Sequence, residues 1–318
     1  MLSLRADPWT PDHGMGFEAR LDEPPARVDA AVESGDWTAP RRPPPAAPGP
    51  VWFVDGVRRV DQRLLATDGG RRAFGLFGTF AAGAVRSDGR AAFQEHVVDR
   101  LLVTGGSLDP GEPVTVTVGG AQVRFRAVSD PGAEPDDPLL RLQREMQRAE
   151  ADLAIRVAAS GGELVLADGR WRSQQVTASP VVGVVKRWAR GYLEPQQDEL
   201  IAALGPGERT PLFALAELDG TFVRYAWYVR LAAVRAAWHD HAGVVRCETR
   251  AGIGLQAAVA LADRVTALLP RFAGRPSDPR YPQNLAPIGA LEGWLQHRMG
   301  HRTLIRRSLT AWLTTQGG

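Results

Sequence analysis

Val51-Trp52-Phe53-Val54-Asp55-Gly56-Val57 is an apolar run that ends in a carboxylate and then a glycine. A run bounded in this way predicts a buried strand that presents Asp55 at its carboxyl end, where open α/β sheets collect their chemistry. The pattern returns at Leu164-Val165-Leu166-Ala167-Asp168-Gly169. If the two strands are parallel neighbours, Asp55 and Asp168 lie a few ångströms apart, and carboxylates that close share either a proton or divalent metal. Metal is the favoured reading. Asp-Gly is also a common turn dipeptide, and Asp68-Gly69-Gly70, Asp88-Gly89 and Asp219-Gly220 read as turns because no comparable aliphatic run precedes them.

The rest of the chain can house such a sheet. Its 318 residues suffice for one large domain or two small ones, and 44% hydrophobic with 23% charged residues is an ordinary balance for a globular protein. No apolar stretch reaches about 18 residues, and Met1-Leu2-Ser3-Leu4-Arg5-Ala6-Asp7 lacks the apolar core of a signal peptide, so the expectation is a cytoplasmic protein with no membrane partner. The single cysteine, Cys247, excludes an intrachain disulfide and a cysteine-based zinc site. A net charge of +2 permits a nucleic-acid partner without demanding one. Of 38 basic residues, Lys186 alone is lysine. Where the sequence otherwise uses arginine throughout, a compact ammonium at this position suggests a place that a guanidinium does not fit.

Residues 1–50 carry little periodicity. Pro24, Pro25 and the run from Ala39 to Pro50 mark an extended, proline-rich arm, with a short helix expected between Pro25 and Gly35. Its docking surface, on the body, a second protomer or another protein, stays open. Residues 51–318 then form the main domain. Arg59 to Ala66 and Arg72 to Val85 read as further strands of an antiparallel meander, and Pro113–Val118 with Ala121–Val128 as a hairpin turning at Gly119-Gly120, an ornament on the main sheet. Strands are expected at Val181–Lys186, Pro211–Ala216, Thr221–Leu231 and Val244–Thr249, and helices at Gln196–Leu204, Leu255–Leu269, Pro287–Met299 and Arg302–Thr314.

The helix expected over Pro138–Ala159 carries the next site residue. At about 100° per residue, Leu139, Leu142, Met146, Ala149, Leu153 and Val157 share one stripe. Glu150 falls at the edge of that stripe, and Glu145 and Asp152 fall outside it. Of the three acids, Glu150 is therefore the one aimed at the sheet, where a charge needs a partner or a metal.

A strand ending in Asp, a meander, a helix with an inward Glu and a second strand ending in Asp together resemble an RNase H-like sheet, in which the first and fourth strands are parallel neighbours. From about Val51 onward the chain resembles one branch of that fold, the NurA family of DNA-end-processing nucleases. The resemblance rests on Phe53-Val54-Asp55-Gly56, Arg148-Ala149-Glu150 leading to Leu166-Ala167-Asp168-Gly169, Val182-Gly183-Val184-Val185-Lys186, Arg246-Cys247-Glu248, and Arg280-Tyr281-Pro282 with Leu285. It implies that Asp55, Glu150 and Asp168 are acidic ligands of catalytic manganese or magnesium, that Lys186 neutralises the scissile phosphate, and that the protein is a homodimer working on DNA with a HerA-type hexameric ATPase. No G-x-x-x-x-G-K-[ST] loop occurs in this chain, so ATP would be handled by that partner. The family usually carries a histidine shortly after its Tyr-Pro, whereas this chain has Leu285-Ala286-Pro287-Ile288-Gly289. Glu292, His297 or the pair His239 and His241 stand as candidates to replace it, with water completing the coordination. His297 and His301 have a metal-pair spacing, but neither follows the apolar face and both read as solvated. The competing reading is a decayed site on the same scaffold, serving as a DNA-binding or adaptor subunit of an ATPase; an RNase on this fold is a third.

Overall fold

The computed structural model describes residues 2–6, 25–47, 49–161, 163–171, 173, 175, 177, 179–187, 191–218, 223–233 and 237–316. The fold is α/β, with a mixed, largely antiparallel sheet flanked by helices. Its centre is a long meander: β3 (Val51–Asp68), β4 (Arg71–Ser87) and β5 (Ala91–Thr104). The stretch expected as a separate strand at Arg59–Ala66 is the second half of β3, which continues through a bulge between Val60 and Gln62. Helix α1 (Asp137–Ala159) then returns the chain to β8 (Val165–Asp168), which pairs parallel with β3, and β9 (Val181–Val185) pairs parallel with β8. Strands β5-β4-β3-β8-β9 thus lie side by side in that order. Beyond β9 the sheet extends through β12 (Val244–Arg250), β11 (Val223–Arg230) and β10 (Phe213–Glu217), all antiparallel.

Helices cover both faces, and glycines in β4 let them approach closely. Gly83 has α4 (Ala286–Arg298) so close that an added Cβ would sit 2.8 Å from Leu295, and Gly78 is equally tight against Leu142 of α1. One face packs Phe53, Val85, Leu166 and Val184 against α3 (Leu255–Leu268) and α4. The other packs Val54, Val165 and Ala167 against Leu153 and Val157 of α1, while Leu139, Leu142 and Met146 cover Phe80 and Leu101. The stripe expected on α1 is therefore the buried one. Among the described residues no helix is long and apolar enough to cross a membrane.

Two expectations need correction. The hairpin β6 (Val114–Val118) and β7 (Ala121–Ser129) is not an appendage: β7 pairs parallel with Leu101–Thr104 of β5, and with α5 (Arg302–Gln316) the hairpin closes a second core around Leu64, Phe77 and Phe125. The helix expected between Pro25 and Gly35 is instead strand β2 (Ala26–Asp29), since the free edge of β10 supplies a ladder that four residues of chain can complete. Strand β1 (Ser3–Ala6) pairs with the far end of β3, from Leu64 to Thr67, so both described ends of the proline-rich arm join the sheet of the body. Strand β5 is announced by no alternating pattern, because Ala91 to His96 are exposed. The turn expected at Asp219-Gly220 and the start of the strand expected from Thr221 lie outside the described residues. Short helix α2 (Pro195–Ala203) forms where expected, opened by a capping box between Glu194 and Gln197.

Candidate metal centre

Strand alternation aims the two aspartates. Side chains two residues apart share a face, and Phe53 and Leu166 face α3 and α4. Asp55 and Asp168 therefore point to that same face. The register Val54↔Ala167 in the parallel β3–β8 pair sets them side by side, as the paired Asp-Gly runs require. Glu292, on α4 above them, completes a group in which Asp55, Asp168 and Glu292 each offer an oxygen within 4.8 Å of the others.

Glu150 arrives differently. Helix α1 covers the opposite face, and its glutamate reaches the sheet beside Gly56, where any Cβ would collide with Glu150 Oε1. Gly56 thus leaves the space that Glu150 fills. Glu150 has no ion-pair partner among the described residues, and burial, then the charge of Asp168, push its carboxyl up to about 8. Of the three acids named from sequence, two converge directly, and the third lies close enough to feel their charge but outside the 4.8 Å group.

Asp55 is the most confined member. It is 6% exposed, and its Oδ2 has no hydrogen-bond partner. Burial first, and the neighbouring Asp168 second, hold its carboxyl well above the usual range, against the opposing pull of Lys186. Lys186 sits just past the end of β9 and donates from Nζ to Asp168 Oδ2 at 2.8 Å and to Asn284 Oδ1 at 3.4 Å. Burial lowers the pKa of the ammonium, but the acids around it, Asp168 first, outweigh burial and hold it above the ordinary lysine value. Asn284, itself buried, also donates to Asp278 Oδ2 at 2.9 Å, and Gln283 Nε2 donates to Lys186 O at 2.7 Å and Val244 O at 2.8 Å. The loop before α4 therefore clamps the end of β9. Arg280 donates to both oxygens of Glu292, at 2.9 and 2.6 Å.

Four carboxyls thus face one ammonium and one guanidinium, with a buried carboxylate oxygen left unpartnered. Such a set fits a hard divalent cation: all donors are oxygen, and Asp55, a member of the group, carries a buried oxygen, Oδ2, with no hydrogen-bond partner. None of the described histidines belongs to the group. His239, His297 and His301 are exposed, and His241 Nε2 lies 3.4 Å from Asp198 Oδ2.

Glu292 entered the sequence reading only as one stand-in for a histidine. The signal that located Glu150 was also present here. Glu292 follows Leu291 by one residue and Ile288 by four, so it borders the buried stripe Ile288, Leu291 and Leu295 of its helix. Asn284 and Gln283 carry no comparable periodic signal, because they lie in a loop. In comparisons with known proteins, the chain matches no family model and no curated protein.

Proposed function

We propose that the chain is a divalent-metal-dependent DNA nuclease of RNase H-like, NurA-type architecture, acting in the cytoplasm on single strands or duplex ends. The observation that carries this reading is the convergence of Asp55, Asp168 and Glu292, with Oδ2 of buried Asp55 left without a hydrogen-bond partner. The strand order β5-β4-β3-β8-β9, with its parallel β3–β8 pair, supports the fold assignment, since first and fourth strands are parallel neighbours in that architecture.

Asp55, Asp168 and Glu292, with Glu150 beside them, would hold manganese or magnesium. When bound, such a cation supplies a Lewis acid that lowers the pKa of water and offsets the charge of a phosphodiester. The chain's own residues supply position and charge. Lys186, held by Asp168 and Asn284, offers an ammonium to a non-bridging phosphate oxygen, which gains negative charge as the attacking water oxygen bonds to phosphorus and gives it up to the leaving oxygen as that bond breaks. Arg280 fixes the carboxylate of Glu292 through two parallel bonds. By the same resemblance the protein would act as a homodimer beside a HerA-type hexameric ATPase, in DNA repair or in defence against foreign DNA.

End-labelled single- and double-stranded DNA, incubated with manganese, magnesium or EDTA, tests the reading. Metal-dependent cutting that Asp55→Ala abolishes, with a loss of at least about 100-fold for a group in direct contact with the reacting centre, supports it. The internal pairs Lys186–Asp168 and Arg280–Glu292 favour one alternative, an inactive scaffold whose acids are neutralised from within. DNA or ATPase binding without cutting under any metal would establish that alternative.

A further inference from the structure

On the same face of the sheet as the acidic group, the far flank of α4 carries a partly exposed aromatic cluster around Trp294, which packs on the core from one side. Phe93 stacks on Trp294 with ring centroids 5.0 Å apart and planes 5° from parallel. His96 meets Trp294 edge-on at 4.8 Å, and the Arg298 guanidinium lies 4.8 Å from the Trp294 ring centroid. Phe93 is 38% exposed, and His96 is exposed as well. Exposed His297, Arg298, His301 and Arg302 at the junction of α4 and α5 make the surroundings basic.

Register ties this cluster to the site. Asp55 pairs with Gly83, and Gly83 pairs with His96, so His96 is two strands from Asp55, about 10 Å at the usual strand spacing. Between them lies α4, and at its outer surface is Gly293, exposed, with nothing within 4 Å of where a Cβ would be. A glycine inside a helix costs about 1 kcal/mol relative to alanine. Here no neighbour requires it, so the bare backbone between Glu292 and Trp294 forms a low saddle joining the acidic group to the aromatic one.

We propose that Phe93, His96, Trp294 and Arg298 form a base-stacking platform for single-stranded DNA, reached from the acidic site across Gly293. This rests on the nucleic-acid reading of that site. Planar rings with a guanidinium beside them suit unpaired bases, whose π-faces stack without regard to sequence, and the basic rim suits the phosphates.

The test is binding of a fluorescently labelled oligothymidylate to the full chain in EDTA, read by anisotropy across a salt series. Phe93→Ala is expected to weaken binding roughly 5- to 100-fold, with Phe93→Tyr restoring it. Arg298→Ala is expected to weaken binding and flatten its salt dependence. Gly293→Leu, which fills the saddle, is expected to act like Phe93→Ala. Failure of the wild type to bind, or unchanged binding in Phe93→Ala and Arg298→Ala, overturns the proposal. So does conversion of a dimer to a monomer in Phe93→Ala with DNA binding intact, which would make this face a contact between copies. The binding assay contains no metal, so absence of cleavage in the separate manganese and magnesium assays would sink the nuclease reading while leaving a Phe93-dependent binding result standing.

Discussion

At Asp55, burial and like charge act in the same direction, and the carboxyl keeps its proton far above the usual pH. Glu150 behaves alike, with a folded value of about 8 against 4.5 for an ordinary glutamate. A carboxyl whose folded value lies above its unfolded one binds a proton in the folded chain that the unfolded chain has released. Stability of the metal-free protein is therefore full below pH 4.5 as far as Glu150 is concerned, and is progressively lost as pH rises towards 8. Thermal melts in EDTA should show Tm falling by several degrees between pH 5 and pH 8, and manganese should restore more at pH 8 than at pH 5. Asp55→Asn removes the same strain, so it should raise the metal-free Tm at pH 8 and abolish the manganese response; ligand at about 100 times its Kd is worth about 2.7 kcal/mol to the wild type. Asp55 and Asp168 were readable from sequence because each ends an aliphatic run. Glu292 was less so, because its signal is a helix edge in a segment whose contact with the sheet depends on everything folded before it.

Among the elements, α4 decides the geometry on both of its flanks, and its carboxyl end is tied down by arginines from the sheet. Arg59 donates to Gly300 O at 2.8 Å and Met299 O at 3.0 Å, and Arg100 donates to Met299 O at 3.2 Å. These cations satisfy carbonyls that a helix end leaves open. Arg59 is held in turn by Asp61 at 2.7 Å, the buried residue at the bulge of β3, which also accepts from Thr79 Oγ1 at 2.5 Å. Asp61→Ala leaves Arg59 without its counter-ion, and should cost on the order of 3 kcal/mol in urea unfolding. It should also weaken manganese binding, measured by electron paramagnetic resonance, because Glu292 rides on α4. Element positions were largely legible in sequence, from periodicity and from Gly-Gly and Asp-Gly turns. What periodicity does not give is partnership: β7 beside β5, or Ala26–Asp29 completing β10, follows from which edges remain free once the meander has formed.

For the whole molecule, the proline-rich arm is fastened by an ion network in addition to its β1 and β2 ladders. Glu33 accepts from Arg209 at 2.8 and 2.9 Å and from the Leu212 amide at 2.6 Å, and Arg209 also binds Asp263 of α3 at 2.8 Å. Burial would raise the Glu33 carboxyl, but the hydrogen bonds from Arg209 and Leu212 prevail and hold it below its ordinary value. Its contribution is present above the unfolded pKa and fades as pH falls through the lower, folded one. Glu33→Ala strands Arg209, which is 2% exposed, and should destabilise the protein by about 3–5 kcal/mol at pH 7, with a smaller difference from wild type at pH 3. Sequence showed an arm and left its docking surface open, since the fastening pairs residues 176 positions apart.

Strand β3 runs unbroken from the acidic site at Asp55 into the second core, where Leu64 packs with Phe77, Phe125 and α5. The two cores are consequently threaded on one covalent backbone. A load applied at the β6–β7 hairpin or at α5 would travel to Asp55 along the strand itself, like tension along a cord.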